Sequence, residues 1–240
     1  MAAGRNIYET IGIESPYTYF SGAVLSGLLL IGLGFFVRRK LSKAEVLPED
    51  GFTLFNAGVE LVRVSRNFVW DLIGPGAEKY LPIVLTAFLL ILFNNLSGFI
   101  PGFLSASEHL SLNLGMAAFV FLSYQFLGFK EHGFGYLKQF TGGLPVPGYG
   151  LAITLLLSVI AIVVFAVELV GHVVRPGSLS IRLFGAIFGD HKVLESVSEL
   201  VPLFVPIVAM ALGLMVSLIQ AFVFSVLSVV YIKLAVSHDH

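Results

Sequence analysis

Apolar residues arrive along this chain in long runs broken by short polar punctuation, the pattern of helices that cross a membrane. A bilayer core about 30 Å thick takes ~20 mostly apolar residues in a helix. Phe20 to Val37 meet that length, with Tyr17 and Tyr19 as interfacial aromatics. Residues 80–100 and about 113–129 read as two more spans, a helical hairpin whose connecting loop holds Pro101, Gly102, Glu108 and His109. In that loop Glu108 and His109 are expected to be solvated. Residues 52–73 differ, because Glu60, Arg63, Arg66, Asn67 and Asp71 interrupt an apolar stripe at helical spacing. That pattern predicts an amphipathic helix on the inner membrane surface. After TGGLPVPGYG (141–150), a turn or hinge by its glycines and prolines, come two stretches too long for upright spans, 151–191 and 201–236. The first would make roughly 60 Å of helix. It must tilt steeply, break near Pro176-Gly177, or run along the membrane plane. The expected fold is an all-α polytopic membrane protein. It forms one membrane domain (1–240) with about five crossing helices and one interfacial helix, the last two long helices steeply tilted.

Composition sharpens this reading. Of 240 residues, 57% are hydrophobic and 12% charged, against roughly 25% charged in a soluble domain; the mean hydropathy is +0.92. A net charge of -1 offers no basic face to nucleic acid. With no cysteine, neither a disulfide nor a thiolate metal site is available. The start, with Arg5, Glu9 and Glu14, resembles neither a signal peptide nor a transit peptide, so the first span is expected to stay in the mature protein. Arg38, Arg39, Lys40 and Lys43 close that span, and the positive-inside rule makes their side cytoplasmic. The amino terminus then lies outside and the carboxyl terminus in the cytoplasm. Under this topology ten basic residues fall inside and two, Arg5 and Lys192, outside.

An ionised side chain at mid-membrane costs about 2.5 to 3.5 kcal/mol on insertion scales, so it is kept by a partner, a water cavity or a function. Arg182, between Ile181 and Leu183-Phe184, is expected deep in apolar surroundings with no carboxylate at i±3 or i±4, so its partner may be sought on another chain. A guanidinium stays protonated, which makes Arg182 a fixed charge and leaves proton carriage to others. Glu168, His172, Asp190 and His191 are the titratable candidates. Glu168, Arg175 and Arg182 recur every seven residues, within about 40° on a straight helix, one polar stripe. On the last segment Gly213, Ser217, Gln220 and Ser228 share a face. Two such faces together would enclose water. The plainer alternatives are a self-satisfied cluster of Glu168, His172 and Arg175, a packing role for Ser217, and solvation of Asp190 and His191 at the outer surface. No metal-ligand spacing, nucleophile motif or phosphate loop is present, so neither a catalytic residue nor a cofactor is expected.

SIRLFGAIFGDH (180–191) resembles the arginine-bearing signature of subunit a of rotary F-type ATP synthases. NNLSGFIPG (94–102), GLMVSLIQAFVFSVLSVVYI (213–232), and Glu168 and Pro176 at their distances before the arginine are similar to that family too. The resemblance covers about residues 15 to 236. It implies a stator subunit with two aqueous half-channels, packed against a ring of c subunits and held with the peripheral-stalk b subunits and the rest of the ATP synthase. Such a bilayer-embedded subunit would lie in a bacterial inner membrane. Arg182 would face the ring carboxylate and block leakage. Glu168 and Ser178 would line the cytoplasmic half-channel, and Asp190, His191 and Gln220 the outer one.

Three positions depart from the family pattern. Ala186 stands where asparagine is frequent, His191 where bacterial members often carry glutamate, and Gly213 where histidine or glutamate is common. Asp190 is the candidate substitute in the outer half-channel, and Asp190→Asn is then expected to slow proton uptake more than Gly213→His. A proton-coupled secondary transporter and a structural assembly protein are the competing classes. The first lacks the visible paired halves of many transporters, and the second would tolerate Arg182→Ala.

Overall fold

A computed structural model of the chain describes residues 17–41, 54–100, 103, 105–136, 151–200 and 205–236. The amino-terminal residues before Tyr17, Lys43 of the basic cluster, the turn expected at 141–150 and the tail after Val236 lie outside the described residues. Among those described the regular structure is entirely helical: α1 (Tyr17–Leu41), α2 (Leu54–Ile73), α3 (Leu81–Ser97), α4 (Leu110–His132), α5 (Leu151–Leu200) and α6 (Val205–Val236). Helix is what the bilayer demands, because hydrocarbon offers no hydrogen bond to an unpaired backbone group. Four stretches are long and apolar enough to cross: Ala77–Ser97, Leu110–His132, Leu157–Val197 and Val205–Val236; α1 carries a shorter apolar stretch, Phe20–Phe35.

Local chemistry sets the ends of several helices. Gly74 and Gly76, at φ 104° and 85°, turn the chain sharply between α2 and the short 3-10 turn Ala77–Tyr80, a conformation costly for any residue with a Cβ. Pro82 then sits in the first turn of α3, where its missing N–H costs no hydrogen bond. Gly133, at φ 56° and ψ -136°, ends α4.

Helix α5 is 50 residues long and runs unbroken through Pro176. The expected option of a break at Pro176-Gly177 is thereby overturned. An interior proline removes one backbone bond and crowds the carbonyl four residues back, here that of His172, at about 3 kcal/mol; α4 and α6 both pack against α5, Tyr124 beside His172 and Tyr231 beside Arg175 just before the proline. At 1.5 Å per residue α5 is ~75 Å long, more than twice the bilayer core.

The core is the seam where α3, α4, α5 and α6 meet. α5 contributes Leu179, Leu183 and Ile187, one turn apart, and α6 contributes Ala221, Phe224, Val229 and Ile232, all buried. α2 is not confined to a surface position, since Val69 is buried in the same core and the Phe68 ring meets Phe222 of α6 at 5.9 Å. Its charged residues Glu60, Arg63, Arg66 and Asp71 face outward, and Arg66 reaches Glu78 at 3.7 Å.

After α4 the chain folds back so that Tyr136 covers Gly128, its hydroxyl paired with Gln125. A Cβ at Gly128 would lie 2.5 Å from Tyr136 Cε2. Gly128→Ala is therefore expected to expel the ring from α4 and destabilise the fold by about 1–3 kcal/mol, the usual cost of overpacking. Thermal unfolding of the detergent-solubilised protein, read by loss of the monodisperse peak, checks this.

Candidate functional site

The polar residues of the membrane region gather in two layers, one on either side of Arg182. The first lies where α4, α5 and α6 meet near Glu168. His172, buried, donates from Nδ1 to the Glu168 carbonyl at 2.9 Å. The Glu168 carboxylate lies 3.9 Å from His172 and 4.0 Å from Arg175. Arg175 is seated over the Tyr231 ring of α6 at 5.6 Å, and Tyr124 of α4 stands beside both Tyr231 and His172. Glu168 is 40% exposed, so one edge of this cluster is open. Ser178 is exposed, its hydroxyl donating to the Arg175 carbonyl at 3.0 Å.

The second layer lies where the loop between α3 and α4 meets α5 and α6. Asn95 donates from Nδ2 to the Ser217 carbonyl at 3.3 Å, Ser105 to the Asn94 carbonyl at 3.0 Å, and Asn113 to the Ser107 carbonyl at 2.7 Å. These bonds fold the loop back into the helices. Glu108 is thereby brought to His191, whose Nδ1 is hydrogen-bonded to the Glu108 carboxylate. The expectation that Glu108 is merely solvated is overturned: a contact across 83 positions of chain leaves no local pattern. Asp190 lies in the same layer, its Cβ 3.9 Å from where a Cβ on Gly213 would stand; Gln220, buried on α6, is seven residues, about two turns, further along that helix. The Cβ on Gly213 would also lie 3.0 Å from the Phe99 ring. A histidine at 213 therefore displaces Phe99 and is a poor control for Asp190→Asn.

Asn94 Oδ1, Asn95 Oδ1, Ser217 Oγ, Gln220 Nε2 and Asp190 Oδ2 are buried and meet no hydrogen-bond partner among the described residues. Native proteins leave few such atoms, and each one calls for an explanation, an ordered water or ion being the usual one. These five atoms lie on α3, α5 and α6, and a buried water needs two to four such partners.

Arg182 stands between the layers, about 12 Å along α5 from Asp190 and about 10 Å from Arg175. Arg182 itself is exposed on the surface of the chain. It shares the outward face of α5 with Ile181, Gly185 and Phe188, while Leu179, Leu183 and Ile187 face the core. Among the described residues no carboxylate pairs with it. The seven-residue stripe is likewise divided: Glu168 and Arg175 are joined, and Arg182 stands apart from both. The adjoining face of α6 is apolar and exposed, with Leu212, Met215, Leu218, Ile219 and Phe222.

Comparison with known proteins decides what this arrangement belongs to. Residues 21–233 match the family described as ATP synthase A chain. The chain belongs to the ATP synthase A chain family. It is 37% identical to ATP synthase subunit a of Bdellovibrio bacteriovorus over 95% of this chain and 96% of that relative. ATP synthase subunit a 2 of Syntrophotalea carbinolica is 38% identical over 88% of this chain and 82% of its own length. For ATP synthase subunit a of Geobacter sulfurreducens the figures are 38%, 73% and 71%. Membership assigns the chain to the membrane sector of the F-type ATP synthase as an integral membrane protein of ion transport.

Sequence reasoning passed over Asn94, Asn95 and Asn113 as polar groups, although each is an amide inside an apolar helix. That was a usable signal. Gly98 falls within the NNLSGFIPG segment, but nothing in the sequence marks its contact with His191 or the role of Glu108.

Proposed function

We propose that this chain is the proton-channel stator subunit of a rotary ATP synthase. It supplies two aqueous half-channels that meet at Arg182 and packs against a ring of c subunits. The observation that carries the proposal is an unpaired arginine on an otherwise apolar outward face, flanked along one helix by two polar layers. A bare guanidinium at mid-membrane is costly, so its counterion belongs to a partner, and a ring carboxylate that ionises on arrival fits.

In this reading a proton enters through the outer layer, past His191, Asp190 and Gln220, and neutralises the ring carboxylate. After nearly a full turn the carboxyl group meets the other layer and then Arg182. An opposite charge within ~4–6 Å favours the ionised carboxylate, so the proton is released toward Glu168, with Ser178 beside the path. Arg182 cannot carry it, because a guanidinium does not deprotonate. His172, Arg175 and Ser217 hold the two layers in shape.

The ring carboxylate must arrive bare, so the apolar faces of α5 and α6 pack against the ring and exclude water. Peripheral-stalk b subunits hold the chain against rotation. The basic residues that flank the helices orient it with its amino terminus outside a bacterial inner membrane and its carboxyl terminus in the cytoplasm. ATP-driven acidification of inverted vesicles carrying Arg182→Ala tests the proposal; pumping at the wild-type rate would overturn it.

A further inference from the structure

His191 is held on three sides. The Glu108 carboxylate bonds its Nδ1, the Phe99 ring meets it edge-on at 5.8 Å and 77°, and its Cε1 lies so close to Gly98 that a Cβ there would stand 2.5 Å away. The same Cβ would lie 2.8 Å from Ser105 Cβ, so one small residue at the end of α3 seats both the imidazole and the loop that carries Glu108. Both side chains remain about one-fifth exposed, 19% for His191 and 20% for Glu108. The pair thus touches water on one side and the layer containing Asp190 on the other.

We infer that Glu108 is the outer proton acceptor of this subunit and works as a unit with His191, resting on the half-channel reading given above. The carboxylate comes from the loop before α4, whereas α6 offers only Gly213 at this level. One proton taken from outer water onto the Glu108 carboxylate gives a carboxyl group that shares it with the neutral imidazole of His191. One proton released inward restores the starting pair, and no other bond changes. The neighbouring charges leave the pair available: Lys192 on α5 is drawn to Glu195 at 2.7 Å, Asp190 lies on the inward side, His109 follows Glu108 in the loop, and the facing parts of α3 and α6 present Gly98, Phe99 and Gly213.

The test uses the whole ATP synthase in inverted vesicles. Passive proton conductance is measured after the soluble catalytic part is removed, and assembly is followed by co-purification. Glu108→Gln keeps the size and an acceptor for the imidazole N–H but cannot take up a proton; conductance is expected to fall at least ~5-fold, and its dependence on outer pH to flatten. Exchanging the pair, Glu108→His with His191→Glu, is expected to return conductance to within ~3-fold of wild type. Gly98→Ala, which alters no titratable group and expels the ring, is expected to slow conductance as Glu108→Gln does. Wild-type conductance and pH profile in Glu108→Gln, wild-type conductance in Gly98→Ala, or an exchanged pair no faster than Glu108→Gln would each overturn the inference. Arg182→Ala in parallel separates the two readings. If Arg182→Ala abolishes pumping while Glu108→Gln conducts normally, only the role of Glu108 fails; if both pump as wild type, the half-channel reading fails with it.

Discussion

Arg182→Ala is expected to abolish ATP-driven acidification, by 100-fold or more, in vesicles whose ATP synthase is still assembled. The size follows from what the side chain lacks. Arg182 has no ion pair among the described residues and faces away from the core formed by Leu179, Leu183 and Ile187. Its removal therefore breaks no hydrogen bond or ion pair among the described residues, and helix propensity favours alanine. What is lost is the charge that draws out the ring proton. Removing one partner of a desolvated ion pair costs about 3–5 kcal/mol, and each 1.4 kcal/mol is a factor of ten, which gives about two to three and a half decades. Passive leak should rise at the same time, because nothing then stops a proton from passing between the layers without rotation. Arg182→Lys is expected to recover only part of the rate, since a point charge replaces a planar fork. Assembly by co-purification, acidification by a pH-sensitive dye, and leak on stripped vesicles provide the three readings. Normal pumping would leave a structural role for Arg182.

Asp190→Asn is expected to slow proton uptake from the outer side about ten-fold with little effect on assembly. Asp190 Oδ2 is buried without a partner among the described residues, and the side chain lies about two helical turns from Arg182 on the same helix. Asparagine preserves shape and hydrogen bonding but cannot exchange a proton, so a packing role would leave the rate intact. The measurement is passive conductance driven from the outer side, compared with the release side by reversing the gradient. Equal rates in mutant and wild type would remove Asp190 from the path and leave Glu108 with His191 to supply it.

Length and periodicity made much of the fold legible. A run of apolar residues as long as Val205–Val236 has few alternatives to a membrane helix, and the charges of 54–73 recur at a spacing that only a helix turns into a face. The fate of Pro176 was not legible: a proline ends most helices, yet α5 runs unbroken through this one with α4 and α6 packed against it. Arg182 was legible as an anomaly, because charge in an apolar run is visible residue by residue. Its direction was not, since the stripe of Glu168, Arg175 and Arg182 assumes a straight helix seen alone. Neighbouring helices decide which part of such a stripe is covered.

The sequence by itself determined the helical membrane class, the family and the isolation of one permanent positive charge, because each depends on composition or on spacing within one segment. Only the tertiary structure decided that Glu108 meets His191, that Gly98 and Gly213 leave the space those rings occupy, and that the buried amide of Asn95 faces α6 while that of Asn94 faces α4. These contacts join positions far apart in the chain, and the energy that selects them comes from packing whole helices together. No pattern within one helix records which other helix it will meet.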